Sequence, residues 1–142
     1  MWADYDYSNF PTVLVKFNEN IEKEEQLNSF FQKWEELYEK GENFTFVFDT
    51  SNISFIKLSY ISKIRDFIKK MKRKPRQYLM KSLIIISNKY LKYLVNLIFK
   101  FQSPISPLYL YNKKQEETLD YNCLLNKIDT NQHKEFTIIG KK

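Results

Sequence analysis

Glycine is nearly missing from this chain, and its scarcity removes whole classes of chemistry. Gly41 and Gly140 are the only two, so neither a GxGxxG dinucleotide turn nor a GxxxxGK phosphate loop can be written. Histidine and cysteine stand singly, as His133 and Cys123. That excludes paired His/Cys zinc ligands and any internal disulfide, and leaves almost nothing for Cys–His or Ser–His catalysis. With four prolines, the composition is not that of a disordered or loop-rich chain. Long apolar runs are lacking too. The most apolar segment, Tyr90 to Phe101, is interrupted by Lys92, Asn96 and Lys100 and is too short to cross a bilayer. The N-terminal MWADYDYSNF carries acids where a secretory signal needs positive charge. These absences lead us to expect a cytoplasmic or otherwise intracellular, non-catalytic protein with no metal and no cofactor.

Material for a core is plentiful. The 142 residues are 43% hydrophobic and 17% aromatic, enough for one domain that buries roughly two thirds of its unfolded surface. The formal charge of +6 is unevenly spread. Glutamates dominate from Glu19 to Glu42, whereas Lys63 to Lys81 is basic except for Asp66. The molecule is therefore expected to be dipolar.

Apolar periodicity alternates along the chain. Thr12–Phe17, Phe44–Phe48, Ser82–Ser87 and Leu108–Tyr111 read as strands. Ile21 to Tyr38 reads as an amphipathic helix stopped at Gly41. Leu58, Ile61, Ile64, Ile68 and Met71 mark a second helix that ends before Pro75. Asn88–Phe101 and Gln115–Ile128 supply two more, the last with Cys123 on its apolar face as a buried thiol. Trp2, Tyr5 and Tyr7 offer an edge strand. Phe136–Ile139 is either a stray strand or part of a polar tail over residues 129–142, in which His133 is expected to be solvated. Four alternations of strand and helix predict a single α/β domain over residues 1–128, with a four- to five-stranded, mainly parallel sheet and about four helices.

The second strand empties into Asp49, Thr50 and Ser51 before a helix opens near Ser59. At such a junction a hydroxyl caps the helix or helps hold an anion beside its unpaired amides. SNISFIKLSYISKI resembles the signature of the STAS domain found in anti-sigma-factor antagonists and sulphate transporters. Ile53, Phe55, Ile56 and Ile61 occupy its apolar positions, and Ser59 falls on the serine that is phosphorylated in regulatory members. The family's Asp, first Ser and Gly are replaced by Lys57, Leu58 and Tyr60. The resemblance implies a STAS-like fold and a non-catalytic interaction or regulatory module, with Asp49, Thr50, Ser51 and Ser59 as switch or anion-binding candidates.

Two further surfaces stand out. Lys69, Lys70, Lys72, Arg73, Lys74 and Arg76 form a basic cluster suited to an acidic partner, anionic lipid or the Glu-rich first helix of a second copy, with nucleic acid ranked behind these. On the third helix, Tyr90, Tyr93, Leu97 and Phe101 form an apolar flank that is either packed under the last helix or covered by a protein partner, a second copy or lipid. The stretch SLIIISNKYLKYLVNLIFKFQSPIS is also similar to the gate-helix segment of CRAL-TRIO (Sec14-like) lipid-binding domains. That resemblance implies, as the alternative function, a minimal lipid or hydrophobic-ligand binding domain.

Overall fold

The computed structural model describes residues 2–140. Ten elements follow one another: β1 (Ala3–Asp6), β2 (Thr12–Phe17), α1 (Glu24–Glu39), β3 (Phe44–Asp49), α2 (Leu58–Lys72), β4 (Leu79–Ile86), α3 (Lys89–Phe101), β5 (Leu108–Asn112), α4 (Tyr121–Asp129) and β6 (Phe136–Ile139). The six strands form one sheet in the order of the sequence. β2, β3, β4 and β5 run parallel, and β1 and β6 close the two edges antiparallel.

Sequential order has a geometric consequence. Right-handed crossovers that always step the same way across a sheet must all pass over the same face. Accordingly α1, α2 and α3 share one core with the sheet residues Val13, Val15, Phe17, Phe44, Phe46, Phe48 and Ile86. The alternate residues Val47, Leu83, Ile85, Tyr109 and Tyr111 turn to the other face, where α4 seals a smaller core with Leu124, Leu125 and Ile128. β4 is thus covered on both sides, which is why SLIIIS shows no alternation.

The sheet exceeds the expected size. Its sixth strand is the FTII segment, the extra-strand alternative for residues 136–139, paired from Leu108↔Ile139 to Tyr111↔Phe136. β4 opens at Leu79, not Ser82, because Phe44 already pairs with Leu79 ahead of a register shift. α4 opens at Tyr121, not Gln115. Glu116 sits in the left-handed region at φ 65°, which a helix cannot include, and the Asp120 carboxylate accepts from the Cys123 amide at 3.1 Å to start the helix there.

Three side chains also depart from expectation. Cys123 is exposed, since α4 turns only Leu124, Leu125 and Ile128 inward. His133 is half-buried, with Nε2 3.0 Å from the Ile128 carbonyl and its ring 5.3 Å from that of Tyr109. Leu58, expected on the inner stripe of α2, is 65% exposed; the helix buries Ile61, Phe67, Ile68 and Met71 instead.

Candidate functional site

Between the sheet and the three-helix layer lies a cavity of about 140 Å³. Strand alternation points Phe17, Phe48, Ser82, Ile84 and Leu108 up into it. α1 contributes Phe30 and Trp34, α2 Ile64 and Ile68, and α3 Val95, Ile98 and Phe99; the turn Pro104–Ser106 and the N-terminal Trp2 complete the lining. The half-buried Ile56, Val95, Phe99, Pro104 and Ile105 place its solvent-side wall at α3, the turn after it and the segment before α2. Aromatic packing stiffens the inner wall. Trp34 meets Phe46 and Phe67 edge-on at 5.0 and 5.2 Å, and Trp2 lies 4.8 Å from Phe17 and 5.7 Å from Phe30. An apolar cavity of this size is about what benzene fills.

The polar atoms of this cavity set it apart. Trp2 Nε1, Trp34 Nε1 and Ser106 Oγ are buried without a hydrogen-bond partner, and among the described residues they are the only buried side-chain polar atoms in that state. All three residues line the one cavity. Elsewhere such groups are satisfied, the Tyr5 hydroxyl donating to the Phe30 carbonyl at 2.7 Å and Tyr38 to Gln77 at 2.7 Å; within the cavity lining, Thr50 donates to the Ile85 carbonyl at 2.6 Å. An orphaned buried donor costs about 1–3 kcal/mol. An indole N–H can only donate, so what satisfies it is an acceptor. No carboxylate, amine or imidazole lines the cavity among the described residues. The arrangement can bind and orient; it presents no general base.

The junction after β3 reaches this cavity through Thr50, Ile53 and Ile56, while its oxygens are turned elsewhere. The Asp49 carboxylate is 4% exposed and on the opposite face of the sheet from Phe48. Its Oδ1 accepts from the Ser51 amide at 3.0 Å and the Ser51 hydroxyl at 2.6 Å, and its Oδ2 from the Tyr121 hydroxyl of α4 at 2.5 Å. Burial alone would push the Asp49 carboxyl up. The Ser51 and Tyr121 hydroxyls, the Ser51 amide and the Lys16 charge outweigh it and hold the group below the usual carboxylate value. Burial, together with the bond to Asp49, drives the Tyr121 phenol well above its ordinary range. The loop itself is pinned from both sides: the Asn20 side-chain oxygen accepts from the Ser54 amide at 2.8 Å, and the Asn88 side-chain amide donates to the Ile53 carbonyl at 3.2 Å.

Ser59 stands apart from these groups. It is exposed on the first turn of α2, whose N-cap is Lys57, and no side chain caps that helix. The expectation that Ser59 or a neighbour caps the helix is therefore corrected. Asp49, Thr50 and Ser51 are tied into the sheet end by hydrogen bonds, and Ser59 is exposed in the first turn of α2.

The basic cluster lies along the outside of α2, beside α1. Lys63 pairs with Glu24, and Lys70 with Glu35 at 2.8 Å, so part of the acidic first helix is met within the same molecule. Lys72 bonds Ser103 in the turn after α3. Lys69, Arg73 and Arg76 are exposed and Lys74 is half-buried. On α3, Tyr90, Tyr93 and Phe101 are exposed and Leu97 is half-buried. α4 does not cover this flank, because it packs against the other face of the sheet.

Sequence reasoning missed Trp2, Trp34 and Ser106 as a set. The signal available was slight: the two tryptophans are the only ones in the chain, and a buried tryptophan normally finds a partner for its N–H. Searches against protein-family models, curated proteins and solved structures give no match to this chain.

Proposed function

We propose that this domain is a non-catalytic binding module for a compact apolar ligand, or the compact apolar part of a larger one, that carries a hydrogen-bond acceptor such as a carbonyl, ester or ether oxygen. The observation that carries this reading is that the three residues bearing orphaned polar groups all line a single apolar cavity. A packing defect would leave a void lined by hydrocarbon side chains alone; the residues around this void include all three that carry an orphaned polar group. The inner wall supplies shape, and the acceptor is read by Trp2, Trp34 and Ser106. The reading is the hydrophobic-ligand alternative expected from the segment that resembles a Sec14-like gate, transferred from the outer flank of α3 to its inner side.

The test uses cyclohexanone and its hydrocarbon counterpart methylenecyclohexane, read by the emission of Trp2 and Trp34. Cyclohexanone is expected to bind, and Trp34→Phe, which keeps an aromatic ring but removes the N–H together with the five-membered ring of the indole, to lower the preference for cyclohexanone over methylenecyclohexane about three- to tenfold. If neither probe changes the emission or the melting temperature, the cavity does not bind and the proposal falls.

The setting of Ser59 favours a second reading. The STAS-like resemblance makes this serine a regulatory phosphoacceptor, and its exposure at the amide-bearing end of α2 would accommodate a phosphate. Intact-mass and peptide mapping of the chain from its own cells would locate phosphate on Ser59; a serine unmodified in every growth condition counts against the switch.

A further inference from the structure

The large apolar side chains that the fold leaves exposed are not scattered. Among the described residues, all but Tyr7 and Met80 lie on two adjoining segments: Phe55 and Leu58 before and at the start of α2, and Tyr90, Tyr93 and Phe101 on α3. The rings of Phe55 and Tyr90 stack at 5.8 Å and 5°, which joins the two segments into one surface. Phe101, Leu58 and Tyr93 are 67%, 65% and 60% exposed. A contiguous patch of this kind marks a docking face.

Its electrostatics select the occupant. Between Asp49 and Glu116 the chain holds one carboxylate, Asp66. The patch is interleaved with Lys57, Lys89, Lys92 and Lys100, none of which forms an ion pair with a carboxylate among the described residues. Lys100 instead lies over the Phe101 ring at 5.5 Å. Aromatic and aliphatic tips flanked by long, unpaired amines suit an interface that is apolar below and anionic above. The rings enter the headgroup boundary while the lysine stems lie along it with their charges at the phosphates.

We infer that this face docks onto an anionic lipid bilayer, with Phe55, Leu58, Tyr90, Tyr93 and Phe101 inserted and the four lysines on the headgroups. None of the inserted side chains lines the inner cavity, so the inference stands independently of ligand binding there.

The experiment is sedimentation of the full chain with phosphatidylcholine vesicles containing phosphatidylserine, and with phosphatidylcholine alone. Capture is expected by the anionic vesicles only, falling with added salt. Tyr93→Ser with Phe101→Ser should weaken it at least tenfold, as should Lys92→Glu with Lys100→Glu. The serine pair alters exposed side chains only, and an unchanged melting temperature verifies that it folds. Absence of capture by anionic vesicles overturns the inference. So does capture untouched by the serine pair, which would be diffuse charge attraction. Binding of single-stranded oligouridine that is lost in the same variants, without vesicle capture, would assign the face to nucleic acid and overturn it equally.

Discussion

Tyr121→Phe isolates the hydrogen bond between α4 and the end of β3. The substitution deletes one oxygen and keeps the ring against the second core, so the loss is the donor at Asp49 Oδ2. Asp49 remains buried with only the Ser51 amide and hydroxyl as donors. A hydrogen bond to an ionised group contributes about 1.5–3 kcal/mol. For a domain of this size, roughly 3–5 °C in melting temperature accompanies each kcal/mol, giving a fall of about 5–15 °C near neutral pH. The pH dependence carries the sharper content. Because the folded Asp49 carboxyl is held below its ordinary value of 3.8, its contribution is fully present above that value and is lost as pH falls through the folded value. Tyr121→Phe removes part of what depresses it. The gap between variant and parent should hold steady from about pH 7 to pH 5 and close below about pH 4. Thermal unfolding followed by circular dichroism across that range measures it. A gap that persists unchanged into acid, or no gap at neutral pH, refutes the assignment of an ionised, tyrosine-bonded Asp49.

Ser106→Ala removes an orphaned hydroxyl and should leave the ligand-free protein as stable or more so, by up to about 1–3 kcal/mol, while weakening cyclohexanone; a clear loss of stability in denaturant titration would mean that the hydroxyl has a partner. Cys123 should react with a thiol reagent such as dithionitrobenzoate in native buffer at nearly the rate seen in denaturant, and a slow native reaction would return the thiol to the core. Ser59→Glu places a carboxylate in a first helical turn that has neither acid nor side-chain cap. It should raise stability by about 0.3–1 kcal/mol at low salt, and a destabilised variant would show that the end of α2 is not electropositive there.

The architecture was largely legible because its cues are local. The α1 stripe of Leu27, Phe30, Trp34 and Leu37 and the parallel runs of β2, β3 and β4 each carry their own period, and the edge strands were visible as aromatic or β-branched fragments. What failed locally was conformational: nothing in QEETLD advertises that Glu116 adopts a left-handed backbone, so α4 appeared a turn and a half too long. Charges misled for a different reason. The Glu19–Glu42 and Lys63–Lys81 blocks look like surfaces in search of partners until α1 and α2 are laid side by side, when Glu24 and Glu35 meet Lys63 and Lys70. The cavity lies further from view. Whether an indole N–H finds a carbonyl depends on tertiary placement, so Trp2, Trp34 and Ser106, drawn from three distant segments, share no signature that a window along the chain would register.

The order of the strands bears on how the molecule is made. Each new strand lays itself beside the one just synthesised, and none must wait for a distant segment to return and fill a gap. Nascent chain leaving a ribosome could therefore grow this sheet by accretion, one crossover at a time, with β1 as the starting edge and FTII as the closing one. Until that last ribbon arrives, the growing margin is a bare parallel strand; the antiparallel Phe136–Ile139 then covers β5.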